Sequence, residues 1–262
     1  MERQTQDLVA EAFGAASELL PLLPAILADF CALGGWPDKV GTILRESAQL
    51  PQDAAVVDLG CGKGAASLVL AAELGYRVTG FDLFEPFLED AASGARAAGV
   101  DHLCSFEVAD IRERAEDIGA FDVAIFAAVG AGLYGDYSDC IAAIRRWTRP
   151  NGYIVISDGF LKHLIPPSAR FPGYEYYERH DEALRQLTAH GDVMVSQILI
   201  SSEEFTEQSL RDLECIRRQV QRLSQTHSQH REQLKQFLAS QEAEYTFLNE
   251  HTTEAIWLLR RP

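Results

Sequence analysis

The sequence lacks the features of secreted and membrane-spanning proteins. Its apolar runs fall short of the roughly 18 residues that span a bilayer, and Pro21, Pro24 and Asp29 interrupt the most apolar early stretch. The first residues include Glu2 and Asp7, where a signal peptide carries basic residues. Five cysteines form no C-x-x-C pair, which argues against a disulfide framework or a zinc site. These absences predict a soluble, cytoplasmic protein with reduced thiols.

Positive charge is also scarce. Lys and Arg number 23 against 39 Asp and Glu, so the formal net charge is −16. Nucleic acids and anionic membranes bind cationic protein surfaces, and this balance disfavours both as partners. The histidines from residue 180 onward show no metal-ligand spacing, and the sequence predicts no metal site. We therefore expect a small-molecule substrate.

Short apolar segments alternate with helix-like segments from residue 54 to residue 160. Five of them, AAVVDLG, YRVTGFD, LCSFEVAD, FDVAIFAAVG and GYIVISDG, are interpreted as strands. Strands that alternate with helices indicate right-handed crossovers and a mostly parallel sheet with helices on both faces. DVMVSQILIS and TEAIWLLRR add two strands near the end of the chain. The predicted fold class is α/β, a doubly wound, Rossmann-like sheet of seven strands with N-terminal helices and an inserted helical cap.

The predicted elements divide the chain into four segments. Residues 1–50 form an N-terminal helical cap, and residues 51–160 form the cofactor-binding core. Residues 161–250 continue the core and carry the inserted helical lid, and residues 251–262 form its last strand. The amphipathic helices at 205–250 are the lid in this interpretation. The alternative is that they form a dimer surface, so a homodimer is a further expectation.

The most informative motif is VVDLGCGKG at residues 56–64, where a strand ends and a helix begins. Glycines allow the backbone to turn tightly and to approach a ligand. Gly60, Gly62 and Ala65 also satisfy the loose G-x-G-x-x-G/A pattern of dinucleotide sites. Asp58 decides between the two ligands, because a carboxylate repels a diphosphate and attracts a cation. Two unit charges about 4 Å apart interact by roughly 4 kcal/mol at an effective dielectric of 20.

Acids also follow the next two predicted strands. Asp82 ends the second strand, where a carboxylate can accept hydrogen bonds from ribose hydroxyls. Asp110 ends the third strand and precedes Ile111, so that an acceptor and an apolar side chain stand where an adenine could bind. Three acids at the ends of successive strands, in register with a glycine loop, indicate one binding site at this edge of the sheet.

These motifs resemble the class I S-adenosylmethionine-dependent methyltransferases. VVDLGCGKG, the acid in VTGFDLFEPFLEDA, VADI, FDVAIFAAVG and RPNGYIVISDG carry the resemblance over about residues 40–160. It implies that TEAIWLLRR is an antiparallel last strand and that S-adenosyl-L-methionine is the cofactor, released as S-adenosyl-L-homocysteine. The implied cofactor-binding residues are Asp58, Gly60, Cys61, Gly62, Asp82, Leu83, Asp110, Ile111 and Ala127.

The resemblance implies a role for each part of this set. Asp58 and the glycines would hold the methionine part of the cofactor, and Asp82 would bind the ribose hydroxyls. Leu83, Asp110 and Ile111 would surround the adenine. Ala127, near the end of the fourth strand, would lie under the sulfonium. Cys61 is expected to be packed or near the cofactor, not nucleophilic.

Candidate substrate-pocket residues follow the fourth and fifth strands and the N-terminal helices. Each has a structural alternative: hydrophobic packing for Trp36, a surface position for His163, and lid anchoring for the tyrosines at 174–177. An aromatic cage for a cationic substrate is the other interpretation of those tyrosines. The candidates are Trp36, Tyr134, Asp158, His163 and Tyr176.

The predicted function is methyl transfer to a small molecule by in-line displacement. Such a reaction depends mainly on positioning, and a general base is needed only when the acceptor must lose a proton. The sequence therefore assigns no catalytic residue. A non-catalytic protein that senses S-adenosylmethionine and, less favoured, a nicotinamide-dependent oxidoreductase are the alternatives.

Overall fold

A computed structural model describes residues 3–114 and 119–262. The chain divides into two compact units. The helical unit comprises Met1–Cys31 and Ser201–His251, and the sheet unit comprises Ala32–Ile200 and Thr252–Pro262. The helix at Pro37–Ser47 lies in the sheet unit. The four predicted segments remain a prediction.

The sheet unit contains seven strands in the order β3-β2-β1-β4-β5-β7-β6 among the residues described. β7 runs antiparallel to β5 and β6, and the other pairings are parallel. This topology confirms the predicted doubly wound fold with an antiparallel last strand. The strands are β1 (Ala55–Leu59), β2 (Arg77–Asp82), β3 (Cys104–Val108), β4 (Phe121–Ala127), β5 (Thr148–Leu161), β6 (Val193–Leu199) and β7 (Thr252–Arg260).

The helices alternate with the strands as the apolar periodicity predicts. α4 continues without a break into a π-helical turn at Leu70–Leu74, and Gly75 ends it in the left-handed conformation. The helices are α1 (Arg3–Ala12), α2 (Leu23–Ile26), α3 (Pro37–Ser47), α4 (Ala65–Val69), α5 (Glu85–Ala98), α6 (Tyr137–Ile144), α7 (His180–Leu187), α8 (Ser202–Thr226) and α9 (Arg231–His251).

The strand order reverses between β1 and β4, where doubly wound sheets bind ligands. Parallel pairing places Leu59 beside Phe81 and Asp82 beside Val108, so β1, β2 and β3 end at one edge. β4 ends at the same edge, with Ala127 beside Ser157 of β5. The start of the antiparallel β7 therefore also lies at this carboxyl edge.

Apolar side chains on both faces of the sheet hold these strand ends in place. β1 and β4 are almost entirely buried, as strands covered by helices must be. Trp147 and Trp257 are fully buried, and the Trp147 ring lies 5.7 Å from the ring of Phe81. Burying side chains of this size stabilises the fold by roughly 1.5–3 kcal/mol each.

β5 begins earlier than the sequence suggests. The Pro150–Asn151–Gly152 segment has the composition of a turn, yet the strand runs from Thr148 without interruption. The pairing register shifts between Phe121 and Val123, so an irregularity in the ladder accommodates the segment. Asn151 adopts the left-handed conformation there, with φ of 65°.

The helical unit is built on the long helices α8 and α9. α8 buries Ile216, Val220 and Leu223 on one stripe, as its amphipathic sequence predicts. The Asp29 carboxylate accepts hydrogen bonds from Arg218 at 2.7 Å and Gln219 at 2.8 Å, which attaches the N-terminal segment to α8. The proposal that this unit is a lid remains a prediction.

Across residues 3–114 and 119–262, no single helix has both the length and the apolar character needed to cross a bilayer. One pair of helices, Thr5–Ala12 and Ser17–Ile26, has the combined length and apolar composition of a membrane span, but the two are bent by 76° relative to each other.

Candidate functional site

The glycine loop after β1 has a backbone that side chains would disrupt. Gly60, Gly62 and Gly64 all have positive φ, at 74°, 51° and 75°. A Cβ atom on Gly60 would lie 2.5 Å from Cγ2 of Val129, far closer than real contacts allow. The amides of Gly60 and Cys61 donate to the Phe81 carbonyl at 2.8 and 2.9 Å, which fixes the loop against β2. The glycines at these positions are thus required by geometry.

Asp58 lies under this loop with only 3% of its surface exposed. Ser67, in the first turns of α4, donates its hydroxyl to Oδ2 of Asp58 at 2.6 Å. Burial raises the pKa of Asp58 to about 6, the Ser67 hydrogen bond opposes that rise, and the nearby Asp82 adds to it. A cation bound beside Asp58 would favour its ionised form.

Asp82 joins the end of β2 to the glycine loop. Its Oδ2 accepts from the Gly62 amide at 2.8 Å, and its Oδ1 accepts from the Phe84 amide at 2.9 Å. Burial raises the pKa of Asp82, and these backbone hydrogen bonds oppose the rise. The Leu83 amide also acts on this carboxylate, and with about four acceptor sites the group keeps capacity for a ligand hydroxyl.

The cation within the glycine loop is neutralised by a neighbouring acid. Nζ of Lys63 lies 3.2 Å from Oδ2 of Asp90 on α5. The charge that remains around the loop is therefore that of Asp58 and Asp82, and it is negative. This arrangement suits a cationic ligand and opposes a diphosphate.

Asp110, after β3, is held by an arginine two residues later. Arg112 donates its amide and its Nε to Oδ1 of Asp110, each at 2.9 Å. The Arg112 guanidinium lowers the pKa of Asp110. Ile111 is buried and Leu83 half-buried. The expected acceptor and apolar side chains are therefore present, with the acceptor already engaged by Arg112.

Tyr134 follows β4 at the carboxyl edge and packs against Phe126. Its ring centroid is 5.9 Å from that of Phe126, and its hydroxyl is buried without a hydrogen-bond partner among the described residues. Burial raises the pKa of Tyr134 to about 12, and the charges of Asp110, Arg112 and Arg146 act on it. Tyr134 therefore presents a neutral hydroxyl donor.

The segment at 33–36 covers the ends of β1 and β4. A Cβ on Gly35 would lie 3.1 Å from Cβ of Ala127, and one on Gly62 would lie 3.2 Å from Cδ1 of Leu33. Trp36 adopts the left-handed conformation, with φ of 51°, at the start of α3. The sequence predicted Trp36 and Ala127 as site residues, and Gly35, which precedes Trp36 in the chain, packs against Ala127.

Asp158, near the end of β5, is saturated with hydrogen bonds and only 6% exposed. The Ala131 amide donates to Oδ2 at 2.8 Å, and the Tyr177 hydroxyl donates to Oδ1 at 2.8 Å. The Tyr176 hydroxyl lies 3.0 Å from both oxygens. Burial raises the pKa of Asp158, and these donors oppose the rise. Asp158 and Tyr176, both predicted for the pocket, therefore meet in a cluster that anchors two loops.

The tyrosines of this cluster pack on each other edge to face. The rings of Tyr176 and Tyr177 are 4.9 Å apart, and Tyr137 lies 5.5 Å from Tyr176. Tyr137 donates its hydroxyl to the Gly159 carbonyl. Tyr137 and Tyr177 are buried, so their faces are occupied by protein. These rings therefore pack the loops around Asp158 together, and both the lid-anchoring and the aromatic-cage interpretations remain predictions.

Glu254, at the start of β7, is a residue that sequence analysis missed. It stands opposite Gly159 in the β5–β7 register. Burial raises the pKa of its carboxyl to about 8, the charge of Asp158 adds to the rise, and a hydrogen bond from the Trp36 side chain opposes it. Its only sequence signal was an acid at the start of an otherwise apolar strand.

The remaining predicted residues differ in their surroundings. His163 is exposed two residues beyond the end of β5. Cys61 is buried, and burial, Asp58 and Asp82 together raise the pKa of its thiol well above the usual value. Its thiolate is therefore disfavoured, as expected for a packed cysteine.

Sequence analysis also missed Ser67, although a hydroxyl in the first turn after a glycine loop was a visible signal.

Comparison with known proteins adds an independent finding. A family model described as a methyltransferase domain matches residues 51–251. A phosphoethanolamine N-methyltransferase of Arabidopsis thaliana is 28% identical over 149 residues, which are 57% of this chain and 29% of that protein. The 27-O-demethylrifamycin SV methyltransferase of Amycolatopsis mediterranei is 27% identical over 179 residues, 64% of this chain and 63% of that protein. The chain thus spans about a third of the plant relative and under two thirds of the bacterial one.

Solved structures share the fold. A SAM-dependent methyltransferase from Geobacter sulfurreducens, in complex with S-adenosyl-L-homocysteine, superposes with a TM-score of 0.77 at 19% identity. The match covers 92% of this chain and 98% of that protein. At this identity the likeness establishes the architecture of the chain.

Proposed function

Because this chain belongs to the class I S-adenosylmethionine-dependent methyltransferase family, we propose that it transfers the methyl group of S-adenosyl-L-methionine to a small-molecule acceptor. One observation carries the proposal: buried Asp58 and half-buried Asp82 flank a glycine loop at the reversal point of the sheet. Fold alone would not support it, since one fold hosts many chemistries.

The residues at this edge fit the cofactor. The free lone pairs of Asp82 suit the ribose hydroxyls, and Asp58 favours the positive charge of the methionine part. The glycine loop leaves the backbone open to close approach. Ile111 and Leu83 supply apolar contacts for the adenine, and Asp110 can accept from its amino group beside the Arg112 contacts.

The bound cofactor would supply an electrophilic methyl group on a positively charged sulfur. The chain contributes position and electrostatics. Ala127, close to Gly35, would line the place of the sulfonium. Holding two reacting groups about 3–3.5 Å apart in line can account for several kcal/mol of rate enhancement. The acids at this edge favour a positive ligand before transfer and release it more readily once the charge is lost.

A small acceptor is supported by the net charge of −16, which disfavours nucleic acids. It is also supported by two relatives whose names specify small molecules, phosphoethanolamine and a demethylrifamycin. These two differ in the accepting atom, one a nitrogen and one an oxygen. The acceptor class is therefore the first question for experiment.

The test combines calorimetry with an acceptor screen. We expect both S-adenosyl-L-methionine and S-adenosyl-L-homocysteine to bind at one site per chain. Formation of S-adenosyl-L-homocysteine is then followed with phosphoethanolamine, with 27-O-demethylrifamycin SV, and without acceptor. The absence of saturable binding up to millimolar ligand contradicts the proposal. Binding without turnover across a broad panel of amines and alcohols would favour the sensor alternative.

A further inference from the structure

Glu254, half-buried at the start of β7, has fewer hydrogen-bond donors among the described residues than Asp158 beside it. Asp158 receives hydrogen bonds from two backbone amides and two tyrosine hydroxyls. Glu254 is hydrogen-bonded by the side chain of Trp36. Since a carboxylate has about four acceptor sites, Glu254 retains capacity for a further partner.

The sheet register places Glu254 close to the proposed site of transfer. Ala127 of β4 pairs with Ser157 of β5, and Gly159, two residues further along β5, pairs with Glu254 of β7. Adjacent strands lie about 4.8 Å apart, so Glu254 is about 10 Å across the sheet from β4. It also stands two residues beyond the level of Ala127, on the side where an acceptor must lie.

Trp36 connects the two positions. Its side chain holds the Glu254 carboxyl, while the preceding residue, Gly35, packs on Ala127. Glu254 is therefore attached to the same 33–36 segment that covers the end of β4.

The charged and titratable groups around Glu254 come from three neighbouring elements. Asp158 on β5 acts on it through its negative charge, and the indole of Trp36 donates to it. The hydroxyls of Tyr137 on α6 and Tyr177 after β5 sense its charge, and both stay protonated because burial raises their pKa values well above 10. The charged side chain that acts most strongly on the Glu254 carboxyl is thus Asp158, which is itself an acid.

We propose that the Glu254 carboxylate faces the transferred methyl group and receives the proton that the acceptor loses. This inference rests on the proposed function. The acceptor, an amine or an alcohol, forms a bond from its lone pair to the methyl carbon, and the carbon–sulfur electron pair returns to the sulfur. The acceptor's N–H or O–H proton moves to Oε of Glu254, which later releases it to solvent. A pKa near the working pH suits a general base.

Proton release on ligand binding tests this placement without an acceptor. S-Adenosyl-L-methionine carries a sulfonium that S-adenosyl-L-homocysteine lacks, so only the former drives a nearby carboxyl to ionise. Calorimetry in buffers of different ionisation enthalpy counts the protons released. With a pKa of about 8, Glu254 is about 90% protonated at pH 7, so we expect a difference of up to about 0.9 proton between the two ligands. Asp58, with a pKa of about 6, contributes only about 0.1.

Glu254→Gln should abolish this difference while both ligands still bind. Asp212→Asn is the matched control, because it removes a carboxyl whose pKa burial also raises but which lies in the helical unit. Asp212→Asn should keep the wild-type difference in proton release between S-adenosyl-L-methionine and S-adenosyl-L-homocysteine. An equal proton count in the wild type and in Glu254→Gln overturns the inference and leaves the proposed function standing. If neither ligand binds the wild type, both the inference and the proposed function are overturned.

Two further measurements test the inference independently, one of them for the case in which Glu254→Gln does not fold. If Glu254→Gln does not fold, Trp36→Phe removes the donor but keeps the carboxyl, and the midpoint of proton release should move to higher pH. With an acceptor from the screen, Glu254→Gln should lower kcat at pH 7 by about 10²–10⁴-fold and change the cofactor KM by less than about threefold. An unchanged kcat overturns the inference.

Discussion

The two halves of the carboxyl edge hold their acids in different ways. Around the glycine loop, Asp58 and Asp82 accept from Ser67, Gly62 and Phe84, all within 20 residues in sequence. Around the end of β5, Asp158 accepts from residues within 27 positions, whereas Glu254 is hydrogen-bonded by Trp36, 218 positions away. The first half follows from a local motif, whereas the Glu254 contact of the second forms only when distant segments meet.

The acids of the two halves also differ in role, because those of the first half can bind a ligand and Asp158 in the second half stabilises the fold. Asp82 keeps free lone pairs and can serve a ligand, while Asp158 is saturated and serves the fold. Substitutions in the second half should therefore affect stability first. Substitutions in the first half should affect affinity first.

The largest effect is expected for Asp158→Ala. It leaves the buried Ala131 amide and two tyrosine hydroxyls without their acceptor, and each orphaned group costs about 1–3 kcal/mol. We expect the free energy of unfolding to fall by about 4 kcal/mol in urea denaturation. Asp158→Asn, which keeps one carbonyl acceptor, should lose less. A loss below about 1 kcal/mol for Asp158→Ala would contradict the structural role.

Gly60→Ala should be next in size. Gly60 has φ of 74°, and a Cβ there would lie 2.5 Å from Val129. Strain of this kind costs about 1–3 kcal/mol, and the loop would shift and weaken cofactor binding. Gly99→Ala is the matched control, with φ of 71° and open space around the added Cβ. Similar losses of cofactor affinity in both variants would show that the Val129 contact is unimportant.

Asp82→Ala should weaken S-adenosyl-L-homocysteine binding by about 1–3 kcal/mol, the range for hydrogen bonds to a charged group. Removal of the carboxylate also releases the amides of Gly62 and Phe84. Calorimetry measures the affinity, and Asp90→Ala on α5 is a nearby acidic control. Unchanged affinity in Asp82→Ala would remove this acid from the cofactor site.

The smallest effect should be the pH dependence of cofactor binding. The pKa of Asp58 is raised to about 6 in the folded protein, so its carboxylate forms as the pH rises through 6. The affinity for S-adenosyl-L-methionine should therefore rise by up to about tenfold, or about 1.4 kcal/mol, between pH 5 and pH 7. The stability of the ligand-free protein should fall as the pH rises from about 4 to about 6, because over this range the carboxyl ionises in the unfolded chain but stays protonated in the folded one. A pH-independent affinity would contradict the role of Asp58.

Much of the fold was predictable because its signals are local. The alternation of apolar strands and helices predicted the sheet, and the acids at the ends of β1, β2 and β3 marked one edge. The early start of β5 was not predictable, because the shifted pairing of Phe121 and Val123 overrides the turn composition of residues 150–152.

The site was predictable to a smaller extent. Asp158 and Tyr176 were identified as neighbours of the pocket, but no local pattern shows that the carboxylate is already saturated. The contact between Trp36 and Glu254 depends on the pairing of β7 with β5, which brings together residues from both ends of the chain. The Arg112 contact to Asp110 was visible as an i, i+2 pair, yet a sequence does not reveal the side-chain direction.

The hydrogen bond from Gly62 to Asp82 has a consequence for recognition kinetics. Together with the hydrogen bonds from the Gly60 and Cys61 amides to the Phe81 carbonyl, it holds the glycine loop in one conformation before any ligand arrives. Fixing one residue costs about 1–2 kcal/mol of chain entropy, and here that loss occurs during folding. Encounter with the nucleoside therefore requires no rearrangement of the loop, so association should be fast and differences in affinity among variants should lie chiefly in the dissociation rate.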